Sequence, residues 1–300
     1  MYEGVRSEQY PSVSIIIPAS RLHKAEQALA ALSRQWYPGH SEIIIVGPPG
    51  PSLVQRWEIQ TVHPEPIAEP GRARNIGACT ATGEVLLFLD DDMIVMKDWI
   101  MRNVYELCRP EVGLVGARMP GTAHTYFARC VDFTNCGDYQ HRRYRKLPVG
   151  SGSMATTKAL FQQVGGFDER LRSGEDIDLC YRVQKQGYLT IYQPEIVVFH
   201  DHDRRTLSGL LSYNYRHGLA GGLVNKLRHR DLKRTYRLLL LFQQPAIFLI
   251  LLPLLALGST MRIVLLNLCD QPEVIVYAPG IVLGKLAYQS GVWMGLCHRK

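Results

Sequence analysis

Hydrophobic positions follow two rhythms along this chain. Through the first 120 residues, short unbroken apolar runs alternate with longer stretches in which apolar residues recur every three or four positions. Residues 13–17 (VSIII), 42–46 (EIIIV) and 85–89 (VLLFL) are the unbroken runs, and they predict parallel strands buried on both faces. Residues 24–36, 72–81 and 99–108 carry the helical period, and weaker strands are expected over 57–62 and 112–117. Such alternation predicts an α/β domain with a mainly parallel sheet flanked by helices. Ligands then bind beyond the carboxyl ends of the strands, which singles out the loops at 18–20, 47–51 and 90–92. Residues 118–148 are less regular and basic, and their structure is left unassigned.

The pattern changes beyond residue 225. Residues 238–258 carry no charge and residues 274–296 carry only Lys285, and each stretch is long enough to span a bilayer core. Lys226, Arg228, Arg230, Lys233, Arg234 and Arg237 precede the first stretch, and His298, Arg299 and Lys300 follow the second. The positive-inside rule places both flanks in the cytoplasm. The expected division is an α/β domain over 1–225, then a basic juxtamembrane segment with two apolar membrane-associated helices over 226–300. A buried helical subdomain or an apolar dimer surface would produce the same pattern.

Composition sharpens this only slightly. The net charge of +7 favours an anionic partner or surface. The charge gathers beside the apolar stretches instead of interleaving with aromatics, which argues against nucleic acid. Seven scattered cysteines without a C-x-x-C pair predict neither a zinc site nor a disulfide framework. The polar residues 1–11 predict no signal peptide.

The chemistry concentrates at residues 86–92, LLFLDDD. Three adjacent carboxylates at a strand end need a cation or a donor set to compensate them. Asp90 and Asp92 suit a hard divalent ion, Mg²⁺ or Mn²⁺, which commonly takes one or two carboxylates and fills its remaining sites with phosphate oxygens. The same acids also suit an ordinary acidic loop or helix cap.

The surrounding residues resemble a known family. GRARNIG at 71–77 followed by ATGEVLLFLDDD is similar to the segment ahead of the D-x-D of family 2 glycosyltransferases with the GT-A fold. VSIIIP at 13–18, GGFDE at 165–169, GEDIDL at 174–179 and PEIVVFH at 194–200 resemble that family's other motifs in order and spacing. The resemblance implies that Asp90 and Asp92 sit beside the metal, with Asp92 the direct ligand, and that Asp91 lies near the ribose or a bound water. It places Pro18, Ala19, Ser20, Arg72, Arg74 and Asn75 on the donor side, the arginines pairing with diphosphate in bidentate fashion. Asp176 becomes the general base, Glu175 and Gly152 its acceptor-side neighbours, and His200 a group near the diphosphate or metal. Ser173 to Asp176 also forms an S-x-x-D pattern that predicts a helix cap.

One departure is plain. Relatives end the second strand with V-D-D-G-S, whereas this chain has Val46, Gly47, Pro48, Pro49 and Gly50, with no acid. The first proline is likewise followed by Ala19, Ser20 and Arg21 in place of V-Y-N. UDP is therefore only the default donor nucleotide. The resemblance implies an inverting, metal-dependent glycosyltransferase at the cytoplasmic face of the cell membrane. It would move a sugar from a nucleotide-diphosphate sugar to a lipid-linked or polysaccharide acceptor. A membrane-tethered sugar-nucleotide-binding module without turnover and a haloacid-dehalogenase-like phosphatase are the alternatives.

Overall fold

The computed structural model describes residues 10–20, 22–48, 58–64, 68–136, 144–146, 149–171, 173–232 and 244–297. The expectations for 49–51 and for the basic residues 233–237 and 298–300 lie outside those residues. Strand β1 (Val13–Pro18), helix α1 (Leu22–Leu32), β2 (Ser41–Val46), β3 (Glu58–Val62), α2 (Pro70–Thr80), β4 (Val85–Leu89) and β5 (Met93–Val95) come first. Then follow α3 (Trp99–Leu107), β6 (Val112–Arg118), α4 (Tyr126–Cys136), β7 (Arg145–Lys146), β8 (Ser153–Thr157), α5 (Lys158–Gln163), α6 (Glu175–Lys185) and β9 (Leu189–His200). Three long helices close the chain: α7 (Leu207–Leu232), α8 (Pro245–Asn267) and α9 (Val274–Cys297).

The chain divides into two compact units. One comprises Met1–Met119 with Arg142–Asp201, the other Pro120–His141 with His202–Lys300. The first is a mixed, mainly parallel sheet in the order β3-β2-β1-β4-β8-β6-β9-β5, with β7 on β9. β1, β2, β3 and β4 run parallel, with the apolar runs of β1, β2 and β4 buried, and β8 enters antiparallel between β4 and β6. The core beneath the site is aromatic: the ring of Phe88 lies 5.3 Å from Phe161 and 5.2 Å from Phe167. Burying Phe88 stabilises the central strand by roughly 1.5–3 kcal/mol. Gly77 lets α2 lie against the sheet, since a Cβ there would stand 2.4 Å from Ile16 Cγ2.

The second unit is helical and begins earlier than the expected boundary at 225. The reason is packing. Cys130 and Val131 of α4 bury with Leu210 and Tyr213 of α7, and Tyr277 of α9 covers them. α7 and α9 meet backbone to backbone, because a Cβ at Gly218 would lie 1.8 Å from the Tyr288 carbonyl and one at Gly291 2.1 Å from the Tyr215 carbonyl. Small residues permit that approach. Both helices bury one side and expose the other: α9 packs against α7 while Ile275, Val276 and Leu283 stay exposed, and α8 buries Phe248, Ala256 and Ile263 while Ile250, Leu254, Met261 and Leu265 stay exposed. Among the described residues, α8 is the one helix long and apolar enough to cross a membrane.

Candidate active site

The three adjacent acids find three different partners. Asp90 follows the last residue of β4, and its backbone N–H donates to the Gly152 carbonyl at 3.0 Å. Its carboxylate, one-third exposed, accepts from Arg74 Nη2 at 2.5 Å. Asp91 is buried and turns toward the end of β1, where its Oδ2 accepts from the Ser20 backbone N–H at 2.9 Å and the Ser20 hydroxyl at 3.3 Å. Asp92 is also buried, with its Oδ2 3.5 Å from His200 Nε2. The repulsion expected of an acid triplet is thus divided among α2, the β1 loop and β9.

His200 reaches Asp92 through strand pairing. β5 lies antiparallel to the far end of β9, with Met93 opposite His200. The Asp201 N–H donates to the Asp92 carbonyl at 2.8 Å, and the buried Lys24 of α1 donates to both the carboxylate and the carbonyl of Asp201. Nothing in the sequence marked Lys24, because its partner stands 177 residues away.

Arg74 does not stand open for a diphosphate. It is buried, donating through Nη1 to Glu175 Oε1 at 2.9 Å while Nη2 holds Asp90. Burial alone would lower its guanidinium, and the charges of Asp90 and Glu175 outweigh that and hold it above its ordinary value. Its Nε is buried without a hydrogen-bond partner, and the guanidinium lies 5.6 Å from the Phe167 ring centre. Arg72, two residues earlier, is exposed. Asn75 joins α2 to the GGFDE loop: Nδ2 donates to the Phe167 carbonyl at 2.9 Å, and Oδ1 accepts the Phe167 N–H at 2.9 Å.

The second acid pair lies across one tripeptide from the first. Gly152 carries the carbonyl that binds Asp90, and a Cβ there would stand 3.2 Å from Asp90 Oδ2 and 2.8 Å from Met93 Cε. One residue earlier, the Ser151 N–H donates to Asp176 Oδ2 at 3.3 Å and its hydroxyl to Glu175 Oε1 at 3.5 Å. Ser151 escaped sequence reading although its neighbour Gly152 was singled out; the G-S-G at 150–152 is the signal that would have found it. Asp176 Oδ1 also accepts the Ile177 N–H at 2.8 Å. The expected S-x-x-D cap does not form, because Gly174, in the left-handed region at φ 80°, takes the N-cap position without a side-chain cap. Burial first, then the charge of Glu175, pushes Asp176 up to about 6, against the two N–H groups and Arg74. A carboxylate with that affinity accepts a proton near neutral pH.

No group of three or more metal-ligating side chains occurs among the described residues. The Asp92–His200 pair alone brings an oxygen and a nitrogen donor together, a set that suits a hard ion only if substrate oxygens supply its remaining ligands. After β2, the missing acid has a steric counterpart. Gly47 follows β2, with its N–H on the Val62 carbonyl and its own carbonyl accepting from His63 Nδ1 at 2.8 Å. A Cβ at Gly47 would stand 2.0 Å from the Ala19 carbonyl oxygen. This backbone leaves no room for an aspartate. Pro18 and Ala19 form the facing edge, and the Ala19 N–H donates to the Val46 carbonyl at 2.9 Å.

Residues 85–284 match the family described as Glycosyl transferase family group 2. The chain is 30% identical over 182 residues to a pre-mycofactocin glycosyltransferase of Mycobacterium tuberculosis, spanning 58% of this chain and 38% of that protein. It is 26% identical over 250 residues to the glycosyltransferase AglE of Haloferax volcanii, spanning 77% and 79%. It covers only 17% of the O-antigen biosynthesis protein RfbC of Myxococcus xanthus, at 29% identity. In fold it is similar to the mannosyltransferase PcManGT from Pyrobaculum calidifontis, solved with GDP-Man and Mn²⁺, with TM-score 0.59, 18% identity, and coverage of 95% of this chain and 88% of that one. GalNAc-T7, solved with UDP, GalNAc and Mn²⁺, gives TM-score 0.53 at 14% identity over 67% and 47%.

Proposed function

The chain belongs to the group 2 glycosyltransferase family, and on that premise we propose that it transfers a sugar from a nucleotide-diphosphate sugar to a hydroxyl acceptor with inversion. The observation that carries this reading is the pair of acid centres on either side of Gly150–Gly152, one of them holding a carboxyl raised to about 6. Asp176 takes the proton from the acceptor hydroxyl. The acceptor oxygen then bonds to the anomeric carbon while the bond from that carbon to the diphosphate oxygen breaks, and the nucleoside diphosphate leaves with the electron pair. One displacement inverts the centre. Arg74 holds Asp90 and Glu175 in place, so that the donor-side and acceptor-side acids keep a fixed geometry. Asp92, His200 and Asp90 would hold Mg²⁺ or Mn²⁺, which supplies Lewis-acid stabilisation of the charge developing on the diphosphate. The Mn²⁺ in the two solved relatives supports that choice.

Ser20, fixed by Asp91, and Arg72 on the exposed side of α2 line the donor side of this reading. The crowding at Gly47 removes the usual acid, so UDP has no privileged claim over GDP or another nucleotide. The acceptor is a lipid-linked or polysaccharide hydroxyl. α8 supports membrane anchoring through its bare apolar surface, and the basic run before it favours a cytoplasmic catalytic domain. Membership of this family leaves the phosphatase alternative without support. The test is a panel of UDP-, GDP- and dTDP-sugars with Mn²⁺ or Mg²⁺ and mass-spectrometric product detection. One donor should give product with wild type and none with folded Asp92→Asn or Asp176→Asn. Donor binding without any product would instead leave the chain a sugar-nucleotide-binding module.

A further inference from the structure

The helical unit has two unlike faces. α9 meets α4 first and α7 after it. A Cβ at Gly280 would stand 2.4 Å from Cys130 Sγ of α4, and one at Gly284 2.8 Å from Thr134 Cγ2. Leu210 and Asn214 of α7 stand beside Gly284, Gly218 beside Tyr288 and Gly222 beside Val292, so α7 and α9 run parallel. α8 packs on another side of α9 and runs antiparallel to it. There Trp293 Nε1 donates to the Pro245 carbonyl at 3.0 Å, and Ile263 buries with Val274 and Ile281. Away from α9, α8 exposes Ile250, Leu254, Leu257, Met261, Leu265 and Leu268. Steps of three and four residues place these side chains in one stripe along the helix.

The face made by α4 and α7 is polar. Arg129 of α4 donates to Gln271 at 2.9 Å and lies 3.6 Å from Asp132, which His202 contacts at 3.1 Å. Ser212 and Arg216 of α7 are exposed. Length and hydropathy alone let α8 cross a bilayer, but its partner helix does not. α9 has 24 residues and is about 36 Å long, so its residues 288–291 lie within about 10 Å of its midpoint. Arg216 stands at that level, between Tyr215, which packs on Gly291, and Gly218, which packs on Tyr288. Its Nε donates to the Ser212 carbonyl at 3.4 Å, one turn back toward the midpoint. A crossing pair would carry this exposed cation into a hydrocarbon layer about 30 Å thick. We infer that α8 and α9 lie along one leaflet of a lipid bilayer without crossing it, with the α8 stripe among the acyl chains and α4 and α7 toward water. Lys226, Arg228 and Arg230 in the last two turns of α7 suit an anionic headgroup layer. The inference rests on the membrane anchoring proposed above and gives it a geometry.

The experiment uses the full chain and its own cysteines. Cys269 follows α8 and Cys297 ends α9, so they mark opposite ends of the antiparallel pair. Cells producing the chain are converted to sealed right-side-out and sealed inverted vesicles, and each kind is treated with a membrane-impermeant maleimide. Peptide mass spectrometry reads the labelling at each cysteine. Cys269 and Cys297 should both react in one kind of vesicle and both be protected in the other until detergent is added. Reaction of the two in opposite kinds overturns the inference and leaves membrane anchoring intact. A second arm measures co-flotation of purified chain with phosphatidylcholine–phosphatidylglycerol vesicles. Leu254→Asp, on the exposed stripe, should weaken vesicle binding about tenfold, whereas Ser212→Asp on the polar face should float like wild type. Equal loss in both variants also overturns the inference. Wild type that does not float at all refutes the anchoring itself. If it then sediments as a dimer that Leu254→Asp dissociates, the stripe belongs to a second copy of the chain.

Discussion

Replacing Asp176 with asparagine should make the protein more stable and less active. The folded state raises this carboxyl from 3.8 to about 6. A raised carboxyl pKa means that its protonated form suits the fold. The stability associated with Asp176 is then full below about pH 4 and is lost as pH rises through 6. That rise sets a ceiling of about 3 kcal/mol on the loss, lowered by partial solvent screening. Asparagine keeps one acceptor oxygen, so it can hold the Ile177 N–H at 2.8 Å but gives up the longer bond from Ser151, at a cost of about 1 kcal/mol. The net expectation is a gain of about 1–2 kcal/mol at pH 7.5, vanishing near pH 4, with transfer reduced about 10²–10⁴-fold. Denaturant unfolding followed by tryptophan fluorescence at both pH values measures the first part, since Trp99 is buried in the α/β unit. Wild-type transfer should fall about tenfold per unit below pH 6. A variant less stable at pH 7.5, or one whose difference is the same at both pH values, would refute the account of Asp176 as a strained base.

Arg74→Gln should cost about 3–5 kcal/mol, because Asp90 and Glu175 both lose the buried cation between them, and thermal unfolding will show it. Gly47→Asp, which restores the acid common in relatives, should lower stability by about 1–3 kcal/mol through its clash with Ala19 and leave donor preference unchanged in the nucleotide-sugar panel. Asp92→Asn should abolish stimulation by Mn²⁺ while circular dichroism stays that of wild type. Lys24→Met should lower metal stimulation too, with Lys24→Arg recovering part of it, because Lys24 acts through Asp201 on the turn that carries Asp92.

The fold was legible where hydrophobic runs were long and buried. Residues 13–17, 42–46 and 85–89 read as parallel strands because Ser14 and Glu42 are the only polar residues in them, and they became β1, β2 and β4. Residues 118–148 were illegible because α4 owes its place to contacts with Leu210, Tyr213 and Tyr277, all far along the chain. The acids themselves were visible as residue types, but their partners were not. Arg74 sat at a motif position that implied diphosphate, yet burial between two carboxylates cannot be read from spacing. The Lys24–Asp201 contact and the role of Ser151 are likewise products of chain crossing. The two C-terminal stretches looked alike in hydropathy; only the glycines of α7 and α9 separate them, and their meaning requires the facing helix.

The Asp92–His200 contact joins residues 108 positions apart, since 200 − 92 = 108, and it depends on β5 finding the last three residues of β9. Long-range pairings of this kind form late, because the chain must close a large loop before any contact rewards it. Until β9 docks, Asp92 has no imidazole facing it and the acid triplet lacks one of its three partners. The Asp92–His200 contact therefore reports the docking of β9 on β5. On the proposed reading, a divalent ion held by Asp92 and His200 binds the native chain in preference to partly folded ones and raises its apparent stability by mass action.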